Sequence, residues 1–361
     1  MVAELAADAV APSTSDNRVT ATARFDAFVR AYGIAIPATG ISDQDLALYI
    51  AYLYEEPTIT SSGTIDQYIC QGVRIWHHAR GLPYRAVGER MPFVQYTLNG
   101  AHRRLAASTG SRRKLPLTIE ILRRLHAHLD VANPLHVCWW AAATTSFFLL
   151  LRKAHIAPAA HRHSDPPSPS PSTRRLPPAP AAVIRHQDLT YDATANRMWV
   201  QLNATKTRQP GSGRFELRLP LPAVPNDALC PTTALWDHLR SKGARRPPSE
   251  PLFTWLDASG TCRQLTHQLY VSLLKQFLRA VGIEPDQYSG HSFRRGGATF
   301  AFSQAGLPQL YIRAMGDWLS DAFLLYCGAQ ESLRITGANA MAAAVSNAAA
   351  AYCAANPQLA R

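Results

Sequence analysis

Ser289-Gly290-His291-Ser292-Phe293-Arg294-Arg295-Gly296-Gly297-Ala298-Thr299 is the stretch from which the rest of the chain can be read. His291 and Arg294 stand three apart, so at a helix start both point from the same side. The N–H groups of a helix N-terminus favour phosphate. An arginine offers two parallel donors that match two phosphate oxygens, and a histidine moves a proton near neutral pH. This combination suits phosphoryl transfer. The H-x-x-R spacing is weak by itself: His291 also suits a plain helix cap, and Arg295 reads as a phosphate or structural contact rather than a reacting group.

Three further stretches flank it in the chain. Phe147-Phe148-Leu149-Leu150-Leu151-Arg152 closes a largely apolar helix expected over 139–151 and ending at Arg152-Lys153. Taken alone, Arg152 is an ordinary cation at a helix C-terminus. Thr205-Lys206-Thr207 lies between strand-like runs at 197–203 and 214–219, with Lys153 as a rival cation for any phosphate. Gly316-Asp317-Trp318-Leu319-Ser320-Asp321-Ala322-Phe323-Leu324-Leu325-Tyr326 follows the H-x-x-R box. Here Trp318 also suits plain core, and Tyr326 has Tyr288 and Tyr311 as rivals at other spacings.

The ordered set Arg152, Lys206, His291, Arg294, Trp318, Tyr326 resembles the tyrosine recombinase (phage integrase) family, in its crypton-like eukaryotic form. Cys230-Pro231-Thr232-Thr233-Ala234-Leu235 is similar to the same relatives, and the resemblance spans roughly residues 24–335. It implies a site-specific recombinase or integrase that cuts DNA through a 3′-phosphotyrosine link. Tyr326 would be the nucleophile. Arg152 and Arg294 would hold the non-bridging oxygens. Lys206 would protonate the leaving 5′ oxygen, His291 would assist proton transfer, and Trp318 would bond or pack against the site. Two guanidinium groups supply the positive charge, so no metal and no cofactor is expected. The family recombines as a homo-tetramer on duplex DNA, which leaves no place for a small-molecule substrate. One departure stands out. Many members carry His or Trp nine residues before the tyrosine, where this chain has Asp317, with Trp318 one position later. An acid facing phosphate hinders catalysis, which keeps open a domesticated DNA-binding protein with an inactive recombinase fold; a type IB topoisomerase-like enzyme, with the same covalent chemistry but no pairing of two sites, is a further alternative.

Composition agrees with a polyanionic partner. The chain of 361 residues has 37 Lys and Arg against 25 Asp and Glu, a formal charge of +12, and a pI near 9.7. That favours nucleic acid without proving it. No apolar run is long enough to span a membrane. Cys70, Cys138, Cys230, Cys262, Cys327 and Cys353 are scattered without a C-x-x-C pair, which fits a reducing, intracellular setting, nuclear in a eukaryote and otherwise cytoplasmic on DNA. His155, His161 and His163 lie close together but lack cysteine partners for a metal site.

The expected fold class is mainly α with a small antiparallel β-sheet (α+β). Residues 1–22 read as a flexible leader without a signal peptide's pattern. Residues 23–109 read as a helical module, with a helix opening at the Ser42-Asp43-Gln44-Asp45 capping box and another over 62–78 with Ile65, Tyr68, Ile69, Val73 and Trp76 at helical spacing. By resemblance this is the family's SAM-like, DNA-clamping (core-binding) domain. Residues 110–116 form a basic linker. Arg103, Arg104, Arg112, Arg113 and Lys114, with Arg295, are the candidate phosphate contacts. Residues 117–335 would be the catalytic domain, interrupted by a flexible Pro-rich insertion at 158–181. Residues 336–361 read as an Ala-rich C-terminal helix and tail.

Overall fold

The computed structural model describes residues 12–84, 90–109, 114–158, 180, 182–194, 197–205, 217–224, 226–241, 246–320, 324 and 341. The chain divides into two compact units, residues 1–112 and 113–361. Arg112, Arg113, Lys206, Tyr326, nearly all of the Pro-rich insertion and nearly all of the Ala-rich tail lie outside the described residues.

The first unit is helical. Helix α1 runs Pro12–Ala31, so the leader expected over 1–22 is wrong for residues 12–22. Ala21 is buried there, and the apolar face of α1 extends one turn before Phe25. Helix α2, Asp43–Glu55, is capped as its sequence predicts. Ser42 Oγ accepts the Asp45 N–H at 3.0 Å and donates to the Asp45 carboxylate at 2.5 Å. Its buried face is Leu46, Tyr49, Ile50 and Leu53, the i, i+3, i+4, i+7 stripe. The next helical run has three parts: α3 (Ser62–Gln67), a wider π-helical stretch (Tyr68–Val73) and α4 (Arg74–Ala79). Helix α5, Pro92–Thr109, starts on the Asp43 carboxylate, which accepts the N–H groups of Phe93 and Val94 at 2.9 Å each. Phe25, Phe28, Tyr49 and Trp76 meet ring to ring in the core.

The second unit is built around helix α7, Pro134–Phe148, which follows α6 (Ile119–His126). A helix buried on all sides is a core helix, and α7 is buried continuously from Cys138 to Phe147. Two of its polar side chains turn back on their own helix: Thr144 donates to Trp140 O at 2.9 Å and Ser146 to Ala142 O at 2.7 Å. Both tryptophan N–H groups are satisfied, Trp139 on Tyr270 O and Trp140 on Ala228 O. The short helix α8, Lys153–Ile156, comes next.

Strands β1 (Leu189–Asp192), β2 (Arg197–Leu202) and β3 (Leu217–Leu221) form an antiparallel sheet in that order. Met198, Val200 and Leu202 face the core at the period of two that a strand requires. A 3-10 turn, His186–Asp188, leads into β1. There Asp188 accepts the Arg185 N–H at 2.7 Å and an Asn203 N–H at 2.8 Å. Helix α9 (Pro231–Ser241), the hairpin β4–β5 (Thr254–Leu256, Cys262–Gln264), α10 (His267–Ala280), α11 (His291–Ser303) and α12 (Gln309–Gly316) complete the unit.

Residues 114–116, expected to belong to a linker, and Leu117 after them lie against the rest of the second unit. Leu115 N–H donates to Gln287 O at 2.8 Å and Leu117 N–H to Ser292 O at 3.1 Å. Gly296 and Gly297 make this possible. A Cβ on Gly296 would fall 2.0 Å from Leu117 O, and one on Gly297 would fall 2.0 Å from Phe147 O. The R-R-G-G run is therefore the seam along which α11 touches both the 114–117 segment and the end of α7.

Candidate active site

Helix α7 ends at Phe148, four residues before Arg152, not at Arg152-Lys153 as the unbroken apolar run suggests. Leu150 turns the chain with φ +51, a conformation that costs a non-glycine residue about 1–2 kcal/mol. Its side chain is buried beside Ala298, Ala301 and Ile312, which offsets that cost. The turn aims the Leu150 carbonyl at α11 and leaves Arg152 as the residue that caps α8, with extended backbone (φ −79, ψ 148).

His291 is the first residue of α11 and Arg294 sits one turn on. Arg294 is 2% exposed. Its guanidinium donates to Leu150 O and, at 2.6 Å, to Gly316 O. It also stacks on Trp318 with 3.8 Å from its carbon to the ring centroid. Three stretches of chain, around residues 150, 294 and 317, are thus tied by one side chain. Gly316 O belongs to the C-terminal turn of α12, where a cation is favoured. Trp318, for which bonding, packing and core were all open, is a partly buried platform under Arg294.

Asp317 closes α12 in the left-handed region, φ +51. Trp318 N–H returns to Arg313 O at 3.0 Å, the Schellman pattern. Glycine usually fills this place, and an aspartate tolerates it better than most residues. Asp317 is buried, and its carboxylate accepts the Thr205 hydroxyl. Thr205 lies three residues past the end of β2 and immediately precedes Lys206, so this bond brings the start of the β2–β3 connection to the end of α12.

The titrating groups show the same convergence. Burial first, then Arg294, Arg295, Arg152 and Lys153, push the His291 imidazole down to about 4. His155 is held at about 4 by burial, then Arg152 and Arg294, against an opposing pull from Asp317. Both rings are neutral at pH 7 and surrounded by cations.

Of the expected site residues, Arg152, His291, Arg294 and Trp318 are brought together; Lys206 and Tyr326 lie outside the described residues. Leu324, two residues before Tyr326, packs on the same apolar cluster as Leu150 and Trp318. Among the expected phosphate contacts, Arg103 and Arg104 are exposed on α5. Lys114 instead donates to Asp286 O at 2.6 Å, and Arg295 donates to Lys114 O. His155, Thr205 and Asp317's bond to it were not legible as site features, since each depends on contacts between residues far apart in the chain.

No family model matches this chain, and no curated protein does. Solved structures do. A lambda integrase dimer bound to a COC′ core site matches with a TM-score of 0.50 at 13% identity, covering 90% of this chain and 73% of that one. The Tn1549 transposon integrase in complex with circular intermediate DNA matches with a TM-score of 0.50 at 13% identity, covering 80% and 82%. At that identity the likeness is one of architecture. The fold is α+β and mainly helical, and it is that of the tyrosine recombinases (integrases).

Proposed function

We propose that this chain is a site-specific DNA recombinase or integrase that cuts and rejoins duplex DNA through a 3′-phosphotyrosine intermediate on Tyr326. The observation that supports this most is the meeting of Arg152, His291, Arg294 and Trp318, drawn from three separated stretches, within a recombinase fold. In this reading the Tyr326 oxygen attacks the scissile phosphorus, and the bond to the 5′ oxygen breaks. Lys206 delivers a proton to that leaving oxygen. Neutral His291 accepts or relays the tyrosine proton, for which an unprotonated imidazole is the required form. Arg152 and Arg294 face charge that grows on the non-bridging oxygens, at about 2.7–4 kcal/mol per donor in comparable sites. The phosphodiester's energy is retained in the tyrosine link, so rejoining needs no ATP. The basic surface, with Arg103 and Arg104, tracks the DNA phosphates, and two sites are paired by a homo-tetramer inside the cell, in the nucleus for a eukaryotic host.

Asp317 favours a second reading, a DNA-binding protein that keeps the fold without cleavage, because its carboxylate is buried beside the arginines. A nicked suicide substrate in EDTA separates the two. A covalent protein–DNA adduct that disappears in Tyr326→Phe supports the enzyme. DNA binding with no adduct supports the second reading, and supercoil relaxation without recombinants supports a type IB topoisomerase-like enzyme.

A further inference from the structure

His155 has no part in the roles given above, yet it lies among the residues that carry them. Its backbone is pinned on both sides: its N–H donates to Arg152 O at 3.0 Å and its carbonyl accepts the Ile184 N–H at 2.9 Å. The ring is 3% exposed, and Nδ1 is buried without a hydrogen-bond partner among the described residues. A buried polar atom left in that state calls for an explanation in a native protein. The charged groups facing the ring are Arg152 from its own turn, Arg294 from α11 and Asp317 from the end of α12. All three belong to the candidate site. At neutral pH the ring is uncharged, so one of its nitrogens carries a lone pair.

We propose that His155 is a positioning residue for Arg152: its Nδ1 accepts an N–H of the Arg152 guanidinium when a phosphodiester occupies the site. This rests on the strand-transfer reading. A guanidinium carries five N–H donors in a rigid fork. Two parallel donors meet the non-bridging oxygens, and others point back toward the protein. An acceptor placed there fixes the plane of the fork. A neutral acceptor does so without cancelling the positive charge that the phosphate needs, as a carboxylate would, and without the repulsion of a second cation. Arg152 is the N-cap of α8 and His155 its third residue, joined by the His155 N–H on Arg152 O at 3.0 Å. Asp317 is already engaged by Thr205, and His291 is assigned to the tyrosine proton, which leaves His155 as a neutral acceptor for Arg152.

The test is single-turnover cleavage of a nicked suicide substrate by the full chain, with DNA affinity and the unfolding midpoint measured alongside. His155→Leu lowers the cleavage rate by about 10²-fold, as small misplacements of a reacting group do, with DNA affinity unchanged. His155→Asn, whose Oδ1 stands where Nδ1 stood, restores most of the rate. In an Arg152→Lys background, His155→Leu causes no further loss, because the fork it orients is gone. A cleavage rate for His155→Leu within about twofold of the wild type overturns the proposal. So does an Asn variant that is folded and as slow as Leu, or an effect of His155→Leu that multiplies fully with that of Arg152→Lys. Should His155→Leu fail to fold, the Asn variant and its coupling to Arg152→Lys decide. An absence of adduct from the wild-type chain is a different result: it overturns the strand-transfer reading, and this proposal with it.

Discussion

Replacing Arg294 by methionine tests the view that this side chain holds the site together as well as serving it. Methionine fills similar volume without donors. It removes the bonds to Leu150 O and Gly316 O and the stack on Trp318. Hydrogen bonds from a charged donor contribute about 1.5–3 kcal/mol each, and a desolvated cation–π contact about 2 kcal/mol. The buried guanidinium also gave up its hydration on folding, and its removal returns several kcal/mol of that penalty. The net expectation is a loss of about 3–5 kcal/mol, at the upper end of what single substitutions cause. For a unit of this size, each kcal/mol shifts the midpoint by roughly 2–4 °C, so the second unit should melt roughly 10 °C lower. Thermal unfolding followed by tryptophan fluorescence reads this directly. Trp139, Trp140 and Trp318 report on the second unit and Trp76 on the first, whose transition should stay in place. A shift in the second unit below about 2 °C would refute the reasoning, since it would mean that the carbonyls and the indole lose nothing when the cation leaves.

Other substitutions follow from the same contacts. Gly297→Ala should destabilise the second unit by about 1–3 kcal/mol, because its Cβ meets Phe147 O at 2.0 Å. Gly100→Ala, in helix α5 with nothing near its added Cβ, should stabilise the first unit by up to about 1 kcal/mol; unfolding midpoints of the two variants check the contrast. The His155 and His291 rings have folded pKa values near 4 against 6.5 for the free group. Between about pH 6.5 and 4 the unfolded chain therefore binds more protons, so stability is full above pH 6.5 and falls as pH drops through that window. The slope is at most about 1.4 kcal/mol per pH unit for each ring. Urea midpoints from pH 7 to 5 should show the fall, with a shallower slope in His155→Leu, and an unchanged slope contradicts the burial argument. Arg103→Ala with Arg104→Ala should flatten the salt dependence of DNA binding by up to about 0.9 per lost phosphate contact. Lys114→Met should flatten it less, because that ammonium is held on Asp286 O, and equal effects would place Lys114 on the DNA.

How far the sequence could be read depended on the range of the interactions. Local signals worked. The Ser42–Asp45 cap, the stripe from Leu46 to Leu53, the start of α11 at His291 and the antiparallel β2–β3 pair are all set by neighbours in the chain. The end of α7 was misread because Leu149-Leu150-Leu151 continues the apolar pattern with no Gly or Pro to mark a break. What stops the helix is tertiary: Leu150 adopts φ +51 to bury its side chain and present its carbonyl to Arg294, 144 residues away. The first helix reads short in the sequence for the opposite reason, since residues 12–22 are mostly polar and, among those whose side chains are described, only Ala21 near their end is buried. The β4–β5 hairpin was missed although Asp257-Ala258-Ser259-Gly260 carries a turn signal that could have found it. In the site, residue types and order pointed to Arg152, His291, Arg294 and Trp318. That Arg294 would be sealed on two carbonyls, that Lys114 and Arg295 would bond within the protein, and that His155 would be buried among the cations depend on packing that no spacing encodes.

The most direct measurement of the strand-transfer account is to trap the protein on a nicked duplex, digest it with trypsin, and locate the DNA-linked residue by mass spectrometry. The account predicts one modified peptide, residues 314–334, with the 3′ phosphate on the Tyr326 oxygen. A trapped adduct on another residue, such as Tyr311 or Tyr288, or no adduct from a folded chain that binds the same DNA, would contradict it.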